Sequence, residues 1–322
     1  MNGYPCMIPS LPKDYLRTRA HYHRIFECLD ISRMVFVGPR DLEDIVKRDI
    51  ESGLFGDHRI DFLCETDMVP FDAVKQALSR QLTADSTVSV SSTGWYFQQF
   101  LKMKFAAFCH EDYYLCWDAD TIPLRPISMF SDKGKPYLDV KTEFQDRYFI
   151  TIERLFGFGK IIEKSFVSEH MLFNREYMLE LIKEIEATPF EGDAFYEKIL
   201  SAAGSDNISL GFSEFETYGS WIGMRHRDAY ALRDWRSFRN TNFFVDINDL
   251  TDEDIAWLSK DYDAASFEKY QETSDVLSQL FHDPRYREKL SPKQFYQAIL
   301  ESGVMGEYED GVIKSGEFNA PA

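Results

Sequence analysis

At 322 residues the chain has room for one large domain or two small ones. Its hydrophobic content of 44% and charged content of 28% exclude a wholly disordered or fibrous protein. Lys and Arg number 36 against 54 Asp and Glu, a net charge of −18, which argues against the electropositive footprint of a general nucleic-acid binder. No apolar run approaches the roughly 20 residues that cross a bilayer, so no transmembrane helix is expected. The start, MNGYPCMIPSLPKDY, lacks a basic stretch followed by a long apolar run, so no signal peptide is expected either. The five cysteines, Cys6, Cys28, Cys64, Cys109 and Cys116, are odd in number and form no CxxC pair. They fit buried free thiols in a reducing cytoplasm better than disulfides or a zinc site.

In chain order, residues 4–9 (YPCMIP) read as a strand that ends in SLPKD. Residues 33–37 (RMVFV) form a second strand, closed by Gly38-Pro39, and 41–50 a helix. Residues 59–63 (RIDFL) form a third strand, followed by the polar loop CETDMVP. Short apolar strands alternating with helical segments predict βαβ units and a largely parallel sheet. Residues 95–108 carry Phe97, Phe100, Leu101, Phe105 and Phe108 near helical spacing, with Thr93 as a cap. Residues 113–117 (YYLCW) are a fourth strand that runs straight into DADTIPL. Strands are expected at 135–140 and 166–173, and a helix at 175–187. A further helix opens in FSEFETYGSW, where Ser213 and Glu216 have the spacing of a capping box. From residue 246 onward 17 acidic residues stand against 7 basic ones. With helical patterns at 251–258 and 291–300, residues 246–322 read as an acidic helical extension, fraying over its last dozen residues, behind a domain of residues 1–245.

The most informative stretch is Asp118-Ala119-Asp120. Two carboxylates one residue apart repel unless a cation relieves them, and carboxylate oxygens suit Mg²⁺ or Mn²⁺. The carboxyl ends of strands in open α/β sheets are also where ligands bind. The plain alternative is a loop with two solvated acids.

The blocks GWYFQQFLKMKFAAF, YYLCWDADTIPLRP, SEHMLFNREYMLELI and FSEFETYGSW resemble GT-A glycosyltransferases, in particular bacterial enzymes of surface-polysaccharide assembly such as capsule and O-antigen synthesis. The resemblance spans roughly residues 4–240. It implies a GT-A, Rossmann-like α/β fold, with a divalent metal on Asp118 and Asp120 bridging the diphosphate of a nucleotide sugar. The donor it implies is a UDP-sugar, and the acceptor a saccharide or a lipid-linked saccharide. Lipopolysaccharide or related biosynthesis would place the protein in the cytoplasm, peripheral at the inner membrane face. The rival is a haloacid dehalogenase-like phosphatase, whose DxDxT signature YYLCWDADT matches literally. There Asp118 would be a nucleophile and Asp120 a general acid, with Gly192, Asp193 and Glu197 imitating a later acidic motif. The late position of the fourth strand and the helical reading of FEGDAFYEKIL weigh against it.

Other residues follow from the transferase reading. Pro9, Ser10, Gly38, Thr66 and Asp67 would line the base and ribose, or are ordinary turn residues. Gln98 and Lys102 share a helix face at i,i+4 and suit a sugar hydroxyl or phosphate, or form a solvated face. His170 contacts sugar or acceptor, or caps the sheet. Glu214 is the favoured general base for inverting transfer, with Glu216 as the other candidate and as capping-box partner. Arg225, in an arginine-rich island, would neutralise the diphosphate, and His226 would be a further metal ligand. Salt bridges to the acidic tail are the plain reading of that island.

Overall fold

The computed structural model describes residues 3–83, 89–142 and 144–305. Its strands in chain order are β1 (Tyr4–Pro9), β2 (Ile31–Gly38), β3 (Ile60–Cys64), β4 (Tyr113–Trp117), β5 (Thr121–Pro123), β6 (Tyr137–Val140), β7 (His170–Asn174), β8 (Ala231–Asp234), β9 (Ser237–Phe238) and β10 (Ala264–Ser266). The fold is mixed α/β. A central five-stranded sheet has the order β3-β2-β1-β4-β7. Its first four strands are parallel, and β7 runs antiparallel to β4. A three-stranded sheet β5-β10-β9 and a β6-β8 pair complete the strands.

The period of two along each central strand sends alternate side chains to opposite faces. Met7, Val35, Val37, Cys116 and Met171 join one apolar cluster. Cys6, Ile8, Met34, Phe36, Leu115 and Leu172 join the other. With both faces covered, the strands read as nearly continuous apolar runs, as buried parallel strands do. The helix Thr93–Lys104 buries Tyr96, Phe97, Phe100, Leu101 and Met103 against the first cluster. All five cysteines are buried free thiols.

Chain order runs outward from β1 to β2 and β3 on one side, then returns to place β4 on the other side of β1. This reversal makes the carboxyl edge between β1 and β4 a switch point of the strand order, where open α/β sheets usually have their ligand crevice. Ser10 and Asp118 end the two strands that flank it. Because β7 is antiparallel, its first residue, His170, lies at the same edge, paired in register with Trp117.

Three expectations change. The strand foreseen at 166–173 is confined to β7, because Phe166 N–H is drawn away to the Glu216 carboxylate at 3.1 Å. The loop CETDMVP holds a short helix, Glu65–Met68. The stretch after residue 245 is no appendage: β10 pairs antiparallel with β5, immediately after Asp120, and parallel with β9. Ile122, Leu124, Phe238 and Phe244 form one apolar cluster with Ile255, Trp257, Phe281 and Phe295. A boundary at 245 would cut that core. The fraying expected at the extreme C-terminus lies outside the described residues.

Candidate active site

Asp118 and Asp120 follow β4 at the crevice, and their surroundings differ. The Lys102 ammonium, almost wholly buried on the helix Thr93–Lys104, lies 2.7 Å from Asp118 Oδ1 and 2.8 Å from Glu214 Oε1. The Phe215 ring covers it at 4.4 Å. Burial works to lower the lysine pKa, but Asp118 and Glu214 outweigh it and hold the ammonium charged. The Gln99 side chain fixes the partner element by accepting a bond from Glu214 N–H at 3.1 Å. The β4 to β7 edge continues this wall: Asp118 N–H donates to Glu169 O at 2.9 Å. The Glu169 carboxylate receives Lys141 Nζ at 2.7 Å, Trp235 Nε1 at 2.7 Å and Ser237 Oγ at 2.9 Å. Burial would raise its pKa, yet Lys141 and Arg239 prevail and hold it down at about 2.

Asp120 lacks such a partner. Burial, then the carboxylates of Glu268 and Asp118, push its carboxyl well above the usual range, and Arg17 offsets this only in part. The segment carrying Glu268 is held over the motif by Phe267 N–H to Asp120 O at 2.9 Å and by Thr121 Oγ1 to Ser266 Oγ at 2.9 Å. Arg17 donates to Phe267 O, and its Nε is buried without a hydrogen-bond partner. Glu268 accepts from Arg239 at 2.8 Å.

The residues expected to line a base and ribose lie along the carboxyl edge of β1 to β3. Ser10 is buried, and its N–H donates to Val37 O at 2.9 Å. Gly38 is required there, since a Cβ would stand 2.3 Å from Ser10 O. Pro9 is half-buried beside Ser10. Thr66 Oγ1 meets Cys64 Sγ at 3.1 Å, and Asp67 is exposed 3.7 Å from Arg40. Gln98 is half-buried on the helix of Lys102.

Four assignments made from the residues alone need correction. Glu216 does not close a capping box: its N–H donates to Ser213 Oγ at 3.2 Å, but its carboxylate accepts from Ser165 Oγ and Phe166 N–H inside the protein. It is a buried acid held by another element, and burial pushes its pKa up. His170 is buried against Trp117 and Trp235, its Nε2 pairs with Asp139 at 2.8 Å, and its Nδ1 is buried without a hydrogen-bond partner, so its described contacts are those of a residue built into the sheet. Arg225 pairs with Glu184, and His226 with Glu180 at 3.0 Å while stacking on Tyr177. Both lie at the far end of the twelve-residue helix that Glu214 opens, roughly 16 Å away by the helical rise. His226 is therefore no metal ligand of this site. The arginine island is dispersed: Arg233 serves Asp139, Arg236 serves Asp263, and only Arg239 reaches the crevice.

Arg17, Lys141 and Glu268 were not foreseen. None stands in a motif, and each reaches the site from an element distant in sequence. Glu197, the imitation of a later phosphatase acid, accepts from Asp193 N–H at 3.0 Å and Ala194 N–H at 3.2 Å, the bonding of a helix start.

Fold and site together define a mixed α/β protein with an acidic crevice at the switch point of a parallel sheet. The chain belongs to the family of unknown function DUF6492, whose family model matches residues 21–281. No curated protein matches it. Among solved structures, mouse xyloside xylosyltransferase 1 in its apo form is similar over 74% of this chain and 88% of its own, at 14% identity and a TM-score of 0.41. The galactosyltransferase LgtC, in complex with donor and acceptor sugar analogs, is similar over 82% and 86%, at 10% identity and a TM-score of 0.42. An active-site mutant of LgtC gives 10% identity and a TM-score of 0.39 over the same shares. Likeness at this level fixes no activity.

Proposed function

We propose that this chain is a glycosyltransferase that moves a sugar from a nucleotide sugar, a UDP-sugar by resemblance, to a saccharide or lipid-linked saccharide acceptor. The observation that carries the reading is the pair Asp118 and Asp120 at the switch-point crevice, one neutralised by buried Lys102 and the other left among acids. A divalent cation fits this arrangement. Its donors are all carboxylate oxygens, and Asp120 stands among like charges that a cation would relieve. Among the described residues no group of three metal-ligating side chains gathers. Such an ion would therefore be held by Asp118 and Asp120, with water and diphosphate oxygens completing its shell, as Mg²⁺ and Mn²⁺ sites commonly are. When bound, it supplies charge neutralisation to the departing diphosphate.

The chain's own residues do the positioning. Lys102 fixes the Asp118 carboxylate, and Glu214 fixes Lys102. The Glu214 carboxylate is spent on Lys102 at 2.8 Å, so Glu214 acts as a positioning residue rather than as the base its sequence position suggested. Transfer breaks the bond between the sugar C1 and the diphosphate oxygen, which leaves with the bonding electron pair, and forms one to the acceptor oxygen, whose proton passes to solvent water. Pro9, Ser10, Gly38, Thr66 and Asp67 line the edge on which the nucleoside lies. Surface-polysaccharide assembly at the inner membrane face is the setting the resemblance supports; among the described residues no helix is long and apolar enough to cross a membrane.

Calorimetric titration with UDP, with and without Mn²⁺, tests the reading. Heat of binding is expected only with metal, and is expected to vanish in Asp118→Asn and Asp120→Asn variants that melt normally. UDP binding that ignores the metal, or that survives in both variants, overturns it.

A further inference from the structure

Away from the carboxylate crevice, Arg125, Arg233 and Arg236 line a groove of about 630 Å³ together with Pro126, Ile127 and Asp263. The three guanidiniums are set from different elements: the loop after β5, strand β8 and the turn before β9. Two of them share one acid. Arg125 Nε lies 2.8 Å from Asp263 Oδ1, and Arg236 Nε lies 3.2 Å from Asp263 Oδ2. Arg233 is bidentate to buried Asp139, at 2.6 and 2.7 Å, and that carboxylate also bonds His170. The remaining acid of the groove, Asp234, is taken by Lys164. Four cationic side chains therefore meet three carboxylates, in a chain whose net charge is −18.

Donors are also left over. Arg125 spends its N–H groups on Asp263 and Ser259 O, Arg233 on Asp139 and Ser128 O, and Arg236 on Asp263 alone. A guanidinium carries more N–H donors than these bonds use. The bonds described also hold each planar fork in place. A fixed fork loses little entropy when it takes a planar or tetrahedral oxyanion in bidentate fashion.

We propose that this groove binds an oxyanion, the phosphate or carboxylate of an acidic saccharide. The site is separate from Asp118 and Asp120 and needs no metal. The ladder of β5 with β10 connects the two places: Asp120 and Ser266 stand at one end, and Leu124 N–H bonds Asp263 O at 2.9 Å at the other. By the extended rise of a strand, Asp120 and Arg125 are roughly 16 Å apart. A saccharide chain of a few units spans that distance, so an acidic unit in the groove can belong to a molecule that also reaches the crevice.

The test uses the whole protein without metal or nucleotide. Inorganic phosphate and glucuronate are titrated by NMR or calorimetry, with chloride at matched ionic strength and glucose as controls. Wild type is expected to bind the two anions and neither control. Arg236→Gln, a change at a side chain 57% exposed, is expected to weaken binding about tenfold, the effect of losing one charge-assisted contact. Arg125→Gln is expected to weaken it at least as much. Phosphate binding without glucuronate binding assigns the groove to phosphate esters, and the reverse assigns it to uronates. The proposal is overturned if neither anion exceeds chloride, or if Arg236→Gln binds as wild type does. Because no metal or UDP is present, either result leaves the transferase reading to its own experiment.

Discussion

The two aspartates of the crevice are near neighbours in sequence, yet they face oppositely charged walls. The wall at Asp118, built from the helix Thr93–Lys104, the helix start at Glu214 and the edge of β7, pairs every acid with a lysine: Asp118 and Glu214 share Lys102, and Glu169 takes Lys141. The wall at Asp120, built from the segment after β10, brings Glu268 instead; there Arg239 pairs with Glu268, Arg17 donates to Phe267 O, and Arg17 offsets the acids around Asp120 only in part. On the first wall Asp118 has a buried ammonium at 2.7 Å. On the second, burial and the neighbouring carboxylates act on Asp120 more strongly than Arg17 does. A motif of two like residues thus divides into an acid held by a buried lysine and one set beside another carboxylate.

The comparison breaks first at Lys102. Lys102→Met would strand Asp118 and Glu214 without their shared cation. Removing one partner of a buried ion pair costs about 3–5 kcal/mol, and the lower figure applies because the Asp118 side chain is 32% exposed. Urea unfolding is the measurement. A loss below about 1 kcal/mol, the value of a surface pair, would show that the wall at Asp118 is not held together by charge.

An effect of about the same size tests the same wall through pH. Folding lowers the Glu169 pKa from its ordinary 4.5 to about 2. A depressed carboxyl contributes stability that is fully present above the unfolded pKa and is lost as pH falls through the folded one. Glu169→Gln is therefore expected to cost about 3 kcal/mol at neutral pH, with the gap to wild type closing between pH 4.5 and 2. A gap that stays constant across that window would mean the loss is one of packing rather than charge.

The smallest effect sharpens the contrast further along the same edge. Glu65, at the end of β3, is pushed up to about 7 by burial and by Asp41. Here the sign reverses, because the folded state holds the proton and ionisation on raising the pH destabilises it. Glu65→Gln should match wild type below pH 4.5 and exceed it above pH 7, by about 1 kcal/mol at most once solvent screening is allowed for. Equal stability at pH 8 would remove Glu65 from the cation-poor part of the edge.

Much of this was legible before folding. Short apolar runs marked β1, β2, β3 and β4 to within a residue or two, because a strand buried on both faces must be apolar along its own length. The position of Asp118 and Asp120 at the end of β4 followed from the same local pattern. Ser213 was recognised as a cap because capping is settled within one helical turn. Glu216 was misread for the same reason: its local spacing fits a capping box, but Ser165 and Phe166, from another element, claim the carboxylate.

What the amino-acid sequence determined by itself was therefore everything that one segment decides alone: strand or helix, buried or exposed, and the acidic pair after an apolar strand. The tertiary structure alone decided which charge meets which. It joined Lys102 to Glu214, set Glu268 beside Asp120, turned Arg225 and His226 away to the helix Arg175–Glu186, and drew the acidic C-terminal stretch into the core. Burial leaves a periodic trace in each segment, whereas an ion pair between elements leaves none, because either partner reads locally as one more solvated charge.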